Sequence, residues 1–294
     1  MLLSRSDSIL GHAIYKLVAC SNRGARLSYH RSVTMPLKLL CLHGWGTNVK
    51  VSLAINPPPA SSVTLTPTRV DSPVSAEYVA PALDPFNPPN HSGGLMSNLR
   101  HDHTATFHFL EGDVDSVPGP GIAGFYDGPY YSYHQFPRPL SSPDPEGASI
   151  LDAFDRLYEA INEEGPFDGV LGFSHGGTLA ASFLIHHAKL YPQEAPLFRC
   201  AIFINALAPF RMDPGTDPVI DPDVEGYIGI PTVHIGGAQD PWLEYSLALH
   251  RLCDPSRSSW VVHNRGHDIP GDKKNLLAIA SAVRKLSVQA LTIW

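Results

Sequence analysis

The pentapeptide Gly172-Phe173-Ser174-His175-Gly176 has the G-x-S-x-G pattern of a serine nucleophile held on a tight turn. A serine hydroxyl is weak at its ordinary pKa, so it needs a base beside it and an acid behind the base. The chain has 15 histidines, so position must select the base. Where a strand–turn–helix elbow presents such a serine, the order along the chain is serine, acid, histidine, each just after a strand. His267 lies in Asn264-Arg265-Gly266-His267-Asp268-Ile269-Pro270, after the last strand-like run, and is the expected base; His263 is the alternative. His186, His187 and His250 fall inside helical patterns, and His234 falls inside a strand, where a packed core histidine is expected. Asp240, in the turn Gly236-Gly237-Ala238-Gln239-Asp240-Pro241-Trp242, is the expected acid. Glu244 is its alternative, and Asp-Pro can equally start a helix. The oxyanion needs two backbone donors: His175, after the nucleophile, and Trp45 in His43-Gly44-Trp45-Gly46, with Gly46 the second choice.

These residues need elements to hold them. Leu37–Leu42 reads as a buried strand, and 106–110 as a second. Residues 112–145, rich in Gly, Pro and Tyr, read as a long surface loop. The clearest helix spans 147–163, with Ile150, Leu151, Phe154, Leu157, Tyr158 and Ile161 on one face and Gly165-Pro166 as its stop. Strands are expected at 167–173, 200–205, 232–235 and 259–263. Helices are expected at 178–190, 242–252 and 272–289, the last with Asp272 as its cap and an apolar face of Leu276, Ile279, Val283 and Leu286. Alternating strands and helices predict an α/β fold: a mostly parallel central sheet with helices on both faces.

Two stretches depart from that pattern. Residues 1–34 carry Arg5, Lys16, Arg23, Arg26 and Arg31 against Asp7; an unstructured extension is expected, with mitochondrial targeting or a true start at Met35 as alternatives. Residues 51–93 hold nine of the 28 prolines and only four charged side chains, so a draped or disordered insertion is expected. The α/β domain is then 35–294, interrupted at about 51–93. The boundary Asn48-Val49-Lys50-Val51-Ser52-Leu53 also fits a splice-donor codon run, so a retained intron is a second expectation, with a helix resuming around Leu95–Leu99.

Composition excludes several classes. The 294 residues carry 21 basic and 28 acidic side chains, net −7, without a basic block, so no nucleic-acid surface is expected. No apolar run of 18 residues predicts a membrane span. Four separated cysteines predict neither a zinc site nor a disulfide framework and fit a reducing, cytoplasmic compartment. Asp213, Asp217, Asp221 and Asp223 read as a solvated acidic loop, so no metal is expected, and the triad chemistry needs no organic cofactor. The aromatic run Phe125, Tyr126, Tyr130, Tyr131 and Tyr133 has two equal readings, acyl-pocket lining or packing over the sheet edge.

Four segments together resemble the fungal serine hydrolase (FSH) family of α/β hydrolases: Met35–Gly46, Phe167–Gly177, Gly237–Pro241 and Gly266–Pro270. The likeness covers 35–48 and about 95–288; the family usually runs from the HGxG loop straight into a helix, which 51–93 interrupts. The resemblance implies a serine esterase or thioesterase acting on an acyl ester or thioester. It also implies a possible acyl-carrier domain of a polyketide synthase as partner. Acyl transfer or C–C hydrolysis on the same triad is the alternative, as is a non-catalytic binding protein if the insertion spoils the oxyanion loop.

Overall fold

The computed structural model describes residues 35–48, 94–120, 122, 127–136, 147–213 and 216–292. The readings made for 1–34 and 51–93, and for Phe125 and Tyr126, lie outside the described residues.

Among the described residues, ten strands and five helices follow in order: β1 (Leu37–Leu42), α1 (Leu95–His101), β2 (Ala105–Leu110), β3 (Val114–Asp115), β4 (Tyr131–Ser132), α2 (Ala148–Glu164), β5 (Gly169–Phe173), α3 (His175–Leu190), β6 (Cys200–Ile204), β7 (Phe210–Arg211), β8 (Val219–Ile220), β9 (Thr232–Gly237), α4 (Leu243–Arg251), β10 (Ser258–His263) and α5 (Lys273–Thr292). Six strands form one sheet in the order β10-β9-β6-β5-β1-β2, and every pairing in it is parallel.

A parallel sheet needs cover on both faces, and the apolar residues of its strands divide accordingly. Leu37, Leu39 and Cys41 of β1 pack with Leu171, Ile202, Ile204, Val233 and Ile235 beneath α1 and α5. Leu40 and Leu42 of the same strand pack with Val170, Ala201 and Phe203 beneath α2, α3 and α4. The split is the two-residue period of a strand read out in space. The resumed helix expected near Leu95 is α1, with Leu95, Met96 and Leu99 buried.

Three readings need correction. The buried stripe of α2 is Ile150, Ala153, Phe154, Leu157 and Ala160, while Leu151 is exposed. The small alanines complete the i, i+3, i+4 stripe and leave Leu151 off its edge. Residues 112–136 are more than a surface loop. They carry the β3–β4 hairpin, and Ser132, Tyr133 and His134 are buried. The acidic loop of Asp213, Asp217, Asp221 and Asp223 is likewise more than solvated chain: the β7–β8 hairpin runs through it, Arg211 reaches both Asp213 (3.0 Å) and Asp221 (2.5 Å), and Asp221 is buried. Two-residue strands leave no periodicity to read.

Candidate active site

The site forms where β1, β5, β6, β9 and β10 end. Ser174 follows β5 directly with φ 51° and ψ −120°, a conformation rarely adopted by residues other than glycine. Helix α3 starts at the next residue, so the serine is the corner between strand and helix. The corner exists because its flanks lack side chains. A Cβ on Gly172 would fall 2.4 Å from the Cα of Gly177, and one on Gly176 would fall 2.5 Å from the carbonyl of His43. The amide of Ser174 donates to the carbonyl of Ile204 on β6 (2.8 Å).

The structure brings Ser174, His267 and Asp240 together. Ser174 Oγ lies 2.8 Å from His267 Nε2 across 93 residues of chain. His267 Nδ1 lies 2.7 Å from Asp240 Oδ2. A carboxylate only accepts, so Nδ1 of the neutral ring carries the proton and Nε2 is left to accept the serine O–H. Both geometric links, nucleophile to base and base to orienting acid, are thus present. Asp240 is buried, and its second oxygen accepts the amide of Trp242 (2.9 Å). That bond closes the turn ahead of α4 and does not cap the helix, whose N-cap is Trp242. His267 sits between Phe173 (ring centroids 5.5 Å) and the edge of Trp242 (4.9 Å).

The alternatives stand elsewhere. Glu244 is exposed in the first turn of α4. His263 is buried at the end of β10 and accepts the amide of Arg265 (3.3 Å). His187 bonds Tyr158 Oη (2.9 Å), and His234 bonds Thr232 Oγ1 (3.2 Å) within its strand.

The loop expected to supply an oxyanion donor is His43–Asn48, directly after β1. A Cβ on Gly44 would lie 3.8 Å from that of Ser174, so the loop passes beside the nucleophile. The amide of Gly46 is already given to the carbonyl of Tyr131 (3.1 Å), which removes the second-choice donor. The amide of Trp45 has no acceptor among the described residues. That of His175 is in the first turn of α3, where no intrahelical acceptor exists.

Residues to which the sequence assigned no such role hold this loop. Tyr133 Oη accepts the His43 amide (2.8 Å) and donates to the carbonyl of Leu110 (2.8 Å). His43 Nδ1 donates to the carbonyl of Gly44 (2.7 Å), so its Nε2 accepts the amide of Gly112 (3.0 Å). Glu111 lies 3.5 Å from that ring, but the two are not an ion pair: burial pushes His43 down to about 4 and keeps it neutral. Tyr131 donates to the carbonyl of Thr47 (2.8 Å), Asn48 Nδ2 donates to that of Pro129 (2.6 Å), and Trp45 Nε1 donates to Ser116 Oγ (2.9 Å). The His175 ring, held neutral by burial, meets Ser132 Oγ (3.1 Å) and packs on His134 and Phe136. Tyr133 is therefore a core residue behind the site; the acyl-pocket reading does not hold for it.

Among the described residues no cluster of His, Cys, Asp and Glu is arranged to hold a metal ion, and no helix is long and apolar enough to cross a membrane. The family profile described as serine hydrolase (FSH1) matches residues 90–279. The hydrolase phiM of Talaromyces stipitatus is 36% identical over 264 residues, covering 87% of this chain and 90% of its own. The esterase FPY3 of Fusarium mangiferae is 31% identical over 272 residues, covering 87% and 99%. The solved esterase PE8 aligns with a TM-score of 0.47 at 15% identity, covering 87% and 94%. A glycine-flanked serine on its elbow, a histidine and a carboxylate in hydrogen-bonded series, and a profile match over most of the folded chain lead to one conclusion: this is an enzyme of the FSH1 serine hydrolase family.

Proposed function

We propose that the enzyme hydrolyses a carboxylic ester or thioester through an acyl-enzyme on Ser174. The observation that carries this is the series Ser174 Oγ, His267 Nε2 (2.8 Å), His267 Nδ1, Asp240 Oδ2 (2.7 Å), already assembled at the strand ends. Ser174 Oγ attacks the acyl carbonyl as its proton passes to His267 Nε2. Asp240 holds the ring and stabilises the imidazolium. The amides of Trp45 and His175 receive the oxyanion, each such donor contributing about 3 kcal/mol to the barrier. The tetrahedral adduct collapses, and His267 returns the proton to the leaving alcohol or thiol. Water, deprotonated by His267, then attacks the acyl-enzyme and releases the acid.

The family resemblance supports an acyl or polyketide chain as substrate, delivered as a small ester or thioester or by an acyl-carrier domain. The unpaired, buried thiols of Cys41, Cys200 and Cys253 support a reducing cytoplasm as its place. The bonds from Tyr133, Tyr131 and Pro129 reach His43–Asn48 before the 51–93 segment begins. This favours an oxyanion loop that works whatever follows it, and weighs against a binding protein.

Fluorophosphonate labelling of the full chain, beside one lacking 51–93 and a Ser174→Ala control, tests the reading. Labelling of both forms and not of the control is expected; absence of labelling in folded protein overturns it. Acyl esters and acyl thioesters of graded chain length, with and without an acceptor alcohol, then separate hydrolysis from acyl transfer.

A further inference from the structure

The acid turn and the base loop are stapled to each other. The amide of Ala238 donates to the carbonyl of His263 (2.7 Å), and that of Gln239 to the carbonyl of Arg265 (2.9 Å). Together they form one unit carrying Asp240 and His267. Nothing in those two bonds sets that unit against Ser174, which belongs to β5. Strand β6 lies between β5 and β9 in the sheet, so its end is the place where the setting can occur.

The residue there is Asn205, fully buried, with φ 46°. Asparagine is among the few residues other than glycine that adopt this left-handed backbone. Its amide donates to the carbonyl of Ile235 (2.8 Å). Its side-chain Oδ1 accepts the amide of Gly237 (3.2 Å), whose carbonyl in turn accepts the amide of Asp240 (3.1 Å). Its Nδ2 donates to the carbonyl of Asp268 (2.9 Å), the residue after His267. On its other side, the carbonyl of Ile204 holds the amide of Ser174. A single dipeptide thus touches all three catalytic segments. We propose that Asn205 is a positioning residue, which registers the acid–base unit against the nucleophile through both ends of its side-chain amide.

The inference rests on the triad reading above and predicts a particular defect. Losing the clamp leaves Asp240 and His267 stapled but lets both drift from Ser174. The serine–histidine distance loosens while substrate binding does not. Asn205→Gly removes the side chain and keeps the left-handed backbone without strain. With a p-nitrophenyl acyl ester, well below the melting transition, kcat is expected to fall ~10- to 100-fold, since a displacement of about 1 Å has effects of that size. KM should change little, and the fluorophosphonate labelling rate should fall by the same factor. A folded Asn205→Gly enzyme with parental kcat and labelling rate overturns the clamp, as does a loss carried by KM alone. If Asn205→Gly does not fold, Asn205→Asp keeps the shape and the acceptor facing Gly237 and alters only the group facing Asp268. A lower kcat at unchanged KM is again expected, and parental kcat overturns the proposal. Parent protein that does not label at all overturns the triad reading itself, which distinguishes the two failures.

Discussion

Ser174, Asp240 and His267 each stand just past a parallel strand, whereas Trp45 stands in a loop fastened by irregular chain from 112–136. The first region is positioned by the backbone ladders of the sheet, with one side chain, Asn205, adjusting them at the end of β6. The second is positioned by individual side chains, above all Tyr133, Thr47 and His43. Where a ladder positions a residue, substitution of that residue should damage chemistry and spare the fold. Where side chains position a loop, chemistry and stability should fall together.

The largest effect expected is on chemistry alone. Ser174→Ala and Asp240→Asn should each lower kcat by ~10⁴-fold or more, with thermal unfolding close to the parent's. A large drop in stability for either would break the comparison. The next effect is on the fold. On Gly176 a methyl would meet the carbonyls of His43 and Leu42 at 2.5 and 2.6 Å, and backbone cannot turn aside. Gly176→Ala should cost about 3 kcal/mol or more, read by denaturant unfolding. Gly44→Ala crowds the Phe173 side chain at 3.0 Å rather than backbone, with Ser174 Cβ at an ordinary 3.8 Å, and should cost about 1 kcal/mol.

Tyr133→Phe sharpens the contrast at the second region. It strips the His43 amide of its acceptor inside the core and should cost about 1–3 kcal/mol. Because the same bond holds the oxyanion loop, kcat should fall about tenfold in the same variant. Full activity with lowered stability would show that the loop holds its shape without Tyr133.

The remaining effect is on pH. His43 is held neutral, its pKa lowered from 6.5 to about 4, and burial lowers His175 and His234 as well. The unfolded chain therefore binds more protons than the folded one between about pH 6.5 and 4. Stability should be complete above 6.5 and decline as the pH falls through that window, by about 3 kcal/mol for His43 alone. Melting temperatures measured from pH 7 to 4.5 check this; a flat profile would mean that these rings stay wet.

The same contrast explains what could be read in advance. The G-x-S-x-G elbow, the Asp240 turn and the Gly266-His267 loop were legible because each is a local departure from a strand–helix pattern. So were the six sheet strands, whose apolar runs survive without tertiary knowledge. Tyr133 and Asn205 were not. Their work lies in single hydrogen bonds to chain remote in sequence, such as Tyr133 to His43 across 90 residues. A tyrosine in a Gly- and Pro-rich stretch and an asparagine ending a strand carry no mark of such partners. Leu151 was misjudged because the apolar count favoured it over Ala153 and Ala160, while the geometry of the stripe favoured the alanines.

The all-parallel ladder also sets when in the life of the molecule it becomes competent. Strand β1 must wait for β5, and Lys38 meets Asp168 only across 130 residues. Long-range pairings of this kind make folding slow, though each doubling of an intervening loop adds only about 0.6 kcal/mol of closure cost. The connection between β1 and β2 therefore tolerates extra chain at little thermodynamic cost. His267 arrives last, after β10, an edge strand of the sheet. During synthesis the nucleophile is made and its turn can form well before its base emerges. On the proposed mechanism the chain attacks an acyl group only once the final strand has docked, so reactivity toward a phosphonate should time the end of folding rather than its beginning.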